Sequence, residues 1–275
     1  MDSFRRTLAR GGLVAVLATS GIAGAGAASA SQEAAAKPAV QSAPHGAYAG
    51  TAACLSCHEG LAAATTTGPH SHAFRAGTPM SPKGCQECHG DTKAALGCEA
   101  CHGPGKEHAE AGGDKTKIRP FKSLSVKEAS DTCVSCHFRT NHTFWAGSQH
   151  DERQVGCTSC HSIHAPAGGS QLKAATQTAL CAQCHRSVAN KQFRFNHMPV
   201  REGKMSCASC HNVHGSSNQK LLKAGTTIDE SCTSCHAEKR GPYMWEHAPV
   251  ADSCATCHDP HGSNNDRMRV AKQPY

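Results

Sequence analysis

The sequence predicts a mostly irregular chain with short α-helices and little or no β-sheet, and three observations support this fold class. Aromatic residues make up only 4% of the chain, so there is little material for an ordinary hydrophobic core. Glycine and proline, with 26 and 13 residues, interrupt the chain throughout. The 18 cysteines recur in short motifs that local turns or helices must hold. Such a chain needs something besides its own side chains to fold around.

Every cysteine belongs to a C-x-x-C pair, and every pair is followed at once by a histidine. The pairs are Cys54/Cys57, Cys85/Cys88, Cys98/Cys101, Cys133/Cys136, Cys157/Cys160, Cys181/Cys184, Cys207/Cys210, Cys232/Cys235 and Cys254/Cys257. The histidines are His58, His89, His102, His137, His161, His185, His211, His236 and His258. C-x-x-C-H is the attachment signature of c-type haem. The pattern therefore predicts nine covalently bound haems, each with one proximal histidine on its iron.

Two other uses of paired cysteines fit less well. A disulfide scaffold would not need a histidine after each pair. Zinc ribbons use two pairs per metal and no fixed histidine, and nine pairs cannot be divided into four-cysteine sites without a remainder. With haem as the cofactor, the porphyrins are expected to form the core, and their attachment supplies folding energy. The haem-free chain should be largely disordered.

The N-terminus predicts export. Arg5, Arg6 and Arg10 precede the uncharged run GGLVAVLATSGIAGAGAASA, which ends in an A-x-A motif at 28–30. We therefore expect residues 1–30 to be a cleaved signal peptide, because the run is too short and glycine-rich for a membrane span. The composition of residues 31–48, rich in alanine, glutamine, serine and proline, predicts a flexible leader. Residues 49–275 are then a single elongated nonahaem domain in the bacterial periplasm.

The charge of the chain does not indicate nucleic acid as a partner. The net charge is +7, and three arginines and one aspartate in the signal account for +2 of it, which leaves about +5. Haem propionates reverse this sign, and the lysines and arginines form no dense tract. We expect them to neutralise propionates and to solubilise the surface.

Internal repeats begin at Cys157, Cys207 and Cys254, at steps of 50 and 47 residues. Each unit has an upstream histidine and reads C-x-x-C-H-x-x-H, and in the first two units a second haem site follows at Cys181 and Cys232. By this rule the third unit needs a cysteine near position 278, whereas the sequence ends at 275. Two explanations stay open: a truncated or split gene product, or a nine-haem variant in which His261 binds a haem already present or is free.

Capping boxes predict where some motifs lie. Ser125 with Glu128, and Thr227 with Glu230, precede the cysteines at 133 and 232. A short helix should therefore carry each motif, with both sulfurs and the histidine on one face.

Eleven histidines remain as possible sixth ligands of the irons. They are His45, His70, His72, His108, His142, His150, His164, His197, His214, His247 and His261. In the H-x-x-H units, the second histidine cannot reach the opposite face of its own haem, so it should bind a neighbouring one. Binding by two histidines implies low-spin iron, low potential and no room for a substrate.

Three segments resemble a known family. SCHAEKRGPYMWEHAPVADSCATCHDPHGS at 234–263, CEACHGPGKEH at 98–108 and CTSCHSIH at 157–164 are similar to blocks of the periplasmic MtrA/DmsE/PioA-type decahaem cytochromes. The likeness covers roughly residues 50–270. It implies an irregular chain with short helices wrapped around a linear chain of haems.

The resemblance also implies partners and ligands. The partners would be an outer-membrane β-barrel porin, an extracellular multihaem cytochrome or reductase, and a periplasmic or inner-membrane cytochrome donor. The distal ligands would be His70, His108, His150, His164, His197, His214, His247 and His261. The site at Cys85–His89 is an addition to the family pattern, with His72 or His142, less readily His45, as its sixth ligand.

The predicted function is electron transfer across or up to the outer membrane, in extracellular respiration or oxidation, without catalysis. The alternative is a multihaem oxidoreductase of the nitrite or hydroxylamine type, which needs a haem with an open face. All nine motifs end in histidine, and no tyrosine has a catalytic context, which disfavours an enzyme. A haem store or periplasmic redox buffer, which needs no docking partner, is a third interpretation.

Overall fold

The computed structural model describes residues 47–66, 68–73, 97–245 and 247–272. All of these belong to one unit of the chain, residues 41–275. Several predicted features lie outside what is described: the signal peptide, most of the leader, His45, the side chain of His72, and the haem site formed by Cys85, Cys88 and His89. The attachment of a haem at Cys85 and Cys88 therefore stays a prediction.

Short helices provide nearly all of the regular structure. The α-helices are Thr51–Leu55, Ala62–Thr66, Pro69–Ala73, Cys98–His102, Lys106–Glu110, Val126–Val134, Gln149–Glu152, Cys157–Cys160, Gln177–Ala182, Arg186–Lys191, Met198–Arg201, Cys207–Cys210, Ile228–Thr233 and Ala248–Asp252. Single 3₁₀ turns lie at Glu59–Leu61, Lys115–Lys117, Phe121–Ser123, Thr140–His142, Gly169–Gln171, Gln219–Leu221, Ala237–Lys239, Cys254–Thr256 and Asp266–Met268. The described residues contain isolated antiparallel bridges but no named β-strand. The predicted class of short helices without a sheet is confirmed.

The described residues have almost no apolar core. Ala129 and Trp145 are their only buried hydrophobic residues, and no large side chain among them is fully buried. None of their helices combines the length and apolar character that a membrane crossing requires. Folding of this chain therefore depends on something other than burial of its own side chains.

Each C-x-x-C-H motif in the described ranges forms one helical turn. The main-chain N–H of the histidine donates to the carbonyl of the first cysteine four residues earlier, at 2.9 to 3.0 Å in His58, His137, His161 and His185, for example. Residues i, i+3 and i+4 share one face of such a turn, which is the face predicted for both sulfurs and the histidine.

The two predicted capping boxes are present. Ser125 accepts from the N–H of Glu128 while Glu128 accepts from the N–H of Ser125, and Thr227 and Glu230 make the same exchange. The helices that they start, Val126–Val134 and Ile228–Thr233, carry the first cysteines of two motifs.

The three H-x-x-H units share a tight turn. His161, His211 and His258 each form an isolated bridge, to Leu172, Leu222 and Arg269 respectively. Two consecutive non-glycine residues with positive φ precede each bridge partner, for example Ser170 (53°) and Gln171 (61°). Non-glycine residues rarely adopt this conformation, and its threefold recurrence indicates a constraint on the carbonyls that it orients.

Each later H-x-x-H turn packs against a segment much earlier in the chain. The backbone of Gly215 (φ 112°) lies against Phe144, and that of Gly262 (φ 120°) lies against Lys191 and Phe195. A Cβ at either glycine would collide with backbone atoms, so both positions require glycine. The second turn is thereby fixed against a segment that precedes the first unit, and the third turn against the first unit.

Candidate haem-binding sites

Most proximal histidines face a second imidazole from elsewhere in the chain. The pairs and their ring-centre distances are His58–His108 (6.3 Å), His70–His137 (5.9 Å), His102–His164 (6.0 Å), His150–His185 (6.3 Å), His161–His214 (6.1 Å), His197–His236 (6.2 Å) and His211–His261 (6.0 Å). Seven of the eight described proximal histidines are paired in this way.

This spacing suits two axial ligands of one iron. An imidazole nitrogen binds a metal at about 2 Å and lies about 1 Å from its ring centre, so two imidazoles on opposite faces have ring centres about 6 Å apart. Direct hydrogen bonding between two imidazoles would bring the nitrogens to about 3 Å and the rings closer together. The residues present therefore fit a haem iron between them.

The H-x-x-H histidines meet the proximal histidine of a different motif. His164 faces His102, His214 faces His161 and His261 faces His211. This placement agrees with the prediction that they serve neighbouring haems. It also places His261 at the haem site of Cys207 and Cys210, which this chain itself contains.

Three histidines stand apart from these pairs. In the described ranges, His258 has no second imidazole facing it, and His247 is exposed without a ring partner. His142 lies 5.7 Å from His137 and 4.2 Å from His214, which are both members of other pairs. Its predicted role at the Cys85–His89 site stays a prediction, as does that of His72.

Backbone carbonyls orient several imidazoles through Nδ1. The carbonyls of Ser170, Lys220 and Arg267 lie 2.9, 2.7 and 2.9 Å from Nδ1 of His161, His211 and His258. Ser170, Lys220 and Arg267 are the first residues of the positive-φ pairs. The unusual backbone conformation therefore directs these carbonyls at the imidazoles. A bond that fixes Nδ1–H leaves Nε2 free to bind metal, and the same partner type serves His102, His108 and His150.

Burial keeps the distal imidazoles in the form that binds metal. It lowers the pKa of His70, His164, His197 and His261 below the usual value. For His214, burial and the neighbouring His142 and His161 lower the pKa to about 4. A neutral imidazole keeps the lone pair that a metal needs.

Cysteines of neighbouring motifs in the described ranges meet in an alternating order. First cysteines lie beside first cysteines: the neighbouring thiol of Cys133 lowers the pKa of Cys157 to about 7, and that of Cys181 lowers the pKa of Cys207 to about 6. The thiols of Cys54 and Cys98, and of Cys254 and Cys232, are neighbours in the same way.

Second cysteines supply the links in between. In each link the partial burial of one thiol raises its pKa, and the nearby second cysteine of the following motif adds to the shift. The links are Cys101 to Cys136, Cys160 to Cys184 and Cys210 to Cys235. The eight described motifs thus follow one another from Cys54 to Cys254, with the Cys54 and Cys98 motifs in direct contact. In the haem-bound protein these sulfurs are thioethers. The contacts therefore show which motifs are neighbours, and not which thiols share a proton.

The two sulfurs of a motif differ in their exposure, although the sequence predicted both on the helix face that carries the histidine. All eight described first cysteines are half-buried. Of the second cysteines in the described ranges, only Cys101 and Cys160 are half-buried, and the exposed ones are Cys57, Cys136, Cys184, Cys210, Cys235 and Cys257. No closed pocket surrounds these six sulfurs, so their assignment to haem depends on the motif and its paired imidazoles. Residues i, i+3 and i+4 share one face of a helical turn, so the difference arises from the segments that pack beside each first cysteine and not from the turn itself.

In the described part of the chain, no three histidine, cysteine or acidic side chains converge as metal ligands. Two imidazoles that face each other near a C-x-x-C pair fit a covalently attached haem with two axial histidines.

Comparisons with known proteins agree with this chemistry. Residues 197–241 and 247–275 match the doubled CXXCH motif family, and residues 98–171 match the family of NrfB-like cytochrome c-type proteins. The multiheme cytochrome MtrA of Shewanella baltica (strain OS185) is 35% identical over 209 residues, which is 74% of this chain. The chain belongs to the MtrA-type multihaem c-type cytochromes. The matched region spans 58% of that relative's length.

Covalently bound haem c is accordingly the cofactor of this MtrA-type cytochrome. The sequence predicted the attachment motifs but not the carbonyls that bind Nδ1 of the imidazoles. The positive-φ carbonyls leave no mark in the sequence. The buried carboxylate of Glu99 was missed too, although an acidic residue inside the motif CEACH was a visible signal.

Proposed function

We propose that this MtrA-type cytochrome transfers electrons along nine haems in series, with bis-histidine irons and no catalytic step of its own. The observation that carries the proposal is the set of seven imidazole pairs at 5.9 to 6.3 Å. Where both faces of an iron are occupied, no position is left for a substrate. Haem supplies the reversible one-electron step, and the chain holds and orients it.

The alternating cysteine contacts support the serial order. Contact between successive attachment points brings neighbouring macrocycles close to one another. The order begins at the Cys54 motif and continues to the Cys254 motif, so electrons would enter near one end and leave near the other. We assign the distal ligands as the structure pairs them, with His247 retained only from the resemblance.

We further propose that the cytochrome works in the periplasm at the outer membrane. The signal-like N-terminus supports export, and the relationship to MtrA supports membership of a porin–cytochrome conduit. The partners would be a β-barrel porin, an extracellular multihaem cytochrome or reductase, and a periplasmic or inner-membrane cytochrome donor. Affinity purification from outer membranes should recover a barrel protein in stoichiometric amount. Recovery of the cytochrome alone, from the periplasmic fraction, would contradict the conduit.

One observation favours the oxidoreductase alternative. His258 is the described proximal histidine without a facing imidazole, so its haem at Cys254 and Cys257 could keep an open face. Carbon monoxide added to the reduced protein tests this. Binding to one haem in nine, lost in a Cys254→Ala/Cys257→Ala variant, would support an open site. No binding would favour the electron carrier.

Removal of one distal imidazole should convert one haem to high spin. His164→Ala removes the partner of His102, 6.0 Å away, and leaves that iron with a single strong ligand. We expect one new high-spin ferric signal in electron paramagnetic resonance, equal to about one haem. Ile163→Ala, on the same turn, is the matched control and should keep the wild-type spectrum. An unchanged spectrum for His164→Ala would remove this ligand assignment.

A further inference from the structure

The last H-x-x-H turn carries a carboxylate where the two earlier turns do not. The residue that follows the proximal histidine is Ser162 in the first unit, Asn212 in the second and Asp259 in the third. The three turns otherwise share their bridge, their positive-φ pair and their Nδ1–carbonyl bond. Among the three turns, only the last one therefore carries a negative charge at this position.

Asp259 lies directly behind a distal ligand. Its Oδ1 is 3.4 Å from Nδ1 of His261 and accepts the main-chain N–H of His261 at 3.0 Å. His261 faces His211 at 6.0 Å. The carboxylate is 21% exposed, so solvent screens it less than a surface charge.

Lys191 holds the other oxygen of the same carboxylate. Its Nζ donates to Asp259 Oδ2 at 2.6 Å, across 68 residues of sequence. Lys191 ends the helix Arg186–Lys191, which follows the Cys181 motif, and its carbonyl packs against Gly262. The charge of Asp259 is thus shared between a histidine of its own unit and a lysine of the first unit.

We propose that Asp259 is a positioning residue that lowers the reduction potential of the haem attached at Cys207 and Cys210, and that Lys191 limits this effect. The inference rests on the proposed ligation of that haem by His211 and His261. A carboxylate close to Nδ1–H helps to orient the ring and makes Nε2 a stronger donor, which stabilises ferric iron. Lys191 draws charge from the carboxylate and weakens the same interaction.

Three other described imidazoles have neutral oxygens or a more distant carboxylate near Nδ1. Neutral carbonyl oxygens face Nδ1 of His108 and His150. Glu238 approaches His236 Nδ1 only to 3.8 Å and is 62% exposed. The haem of His211 and His261 should therefore have a potential below that of haems whose imidazoles meet only carbonyls.

A purely structural contact makes a different prediction from electronic tuning. The Lys191–Asp259 pair and the Phe195–Ser263 bridge both join the last turn to the first unit. If Asp259 only anchored the turn, loss of either partner would loosen His261 in the same way. If Asp259 tunes the iron, loss of the carboxylate and loss of the lysine act in opposite directions.

The test is a spectroelectrochemical titration of the holoprotein with electron paramagnetic resonance of the ferric state. Asp259→Asn places in the third unit the residue that the second unit has at Asn212. We expect one component to become easier to reduce by about tenfold in its equilibrium constant, or about 59 mV for one electron. Lys191→Gln should shift the same component in the opposite direction. Each variant should also change the g-values of one low-spin haem.

A matched ion pair supplies the control. Lys127 Nζ and Asp131 Oδ2 are also 2.6 Å apart, and Asp131 is 58% exposed with no histidine contact among the described residues. Asp131→Asn should leave every component unchanged. Shifts of the same sign in both test variants, or no shift in Asp259→Asn, would overturn the inference.

A third variant separates this inference from the ligation on which it rests. His261→Ala should create one high-spin haem. If it does so while Asp259→Asn shifts nothing, the ligation stands and the role of Asp259 is wrong. If His261→Ala leaves all haems low-spin, the assigned ligation itself is wrong, and the inference falls with it.

Discussion

A haem-free form of the mature chain should lose nearly all of its helical circular dichroism. Its helices have nine residues at most in the described ranges, and isolated helices shorter than about 12 residues are marginal in water. Ala129 and Trp145 are the only buried apolar residues there, so packing within the chain cannot compensate for the lost conformational entropy. Haem attachment is then the main source of folding free energy.

This expectation is tested by producing the chain with and without haem attachment. Far-ultraviolet circular dichroism and limited proteolysis of the two forms, with the thiols kept reduced, give the comparison. We expect the haem-free chain to be cut throughout residues 49–275, whereas the holoprotein resists. A haem-free chain with the helical signal of the holoprotein would show that the polypeptide has a stable fold of its own.

Replacement of Glu99 should open the first part of the fold. Its carboxylate is 4% exposed and accepts three main-chain N–H bonds, from Ala49 and Gly50 at 2.9 Å and from Gly105 at 2.8 Å. Glu99→Ala leaves these donors unpaired at a cost of about 3 kcal/mol. Local opening should then become about a hundredfold more frequent, since about 1.4 kcal/mol corresponds to a factor of ten.

Hydrogen–deuterium exchange of the holoprotein measures this opening. Peptides that cover residues 47–58 and 97–106 should exchange faster in Glu99→Ala, while those from the later units keep their rates. Glu107→Ala removes an exposed glutamate from the neighbouring helix Lys106–Glu110 and should change little. Equal exchange in the two variants would mean that Glu99 is not what joins these segments.

The sequence predicted local features of the fold and site well, because each depends on residues close together in the chain. The motif helices, the caps at Ser125 and Thr227, and the absence of a sheet all depend on a few adjacent residues. Repeat comparison also indicated that His164 and its equivalents serve another haem. It could not say which, because the partner of His164 is 62 residues away at His102.

What the sequence did not predict depends on long-range contacts. Glu99 joins segments about 50 residues apart, and Lys191 meets Asp259 across 68 residues. The carbonyls behind the imidazoles belong to the backbone, and every residue has one, so the residue type does not indicate which carbonyl will bind. His247 shows the limit of carrying a role over by position, because it is exposed and without a facing imidazole in the described ranges.

The alternating cysteine contacts have a consequence for how such chains can change in length. Each complete unit contributes one motif joined forward through its second cysteine, as at Cys160, and one joined forward through its first, as at Cys181. Duplication or loss of a whole unit therefore keeps first cysteines against first cysteines and second cysteines against second cysteines. A single motif inserted between two motifs in contact would place a first cysteine against a second. The Cys85 motif, which lies outside the described residues, does not interrupt the series, because the Cys54 and Cys98 motifs contact each other directly. From Cys98 to Cys254, growth by pairs is therefore the change that keeps these contacts.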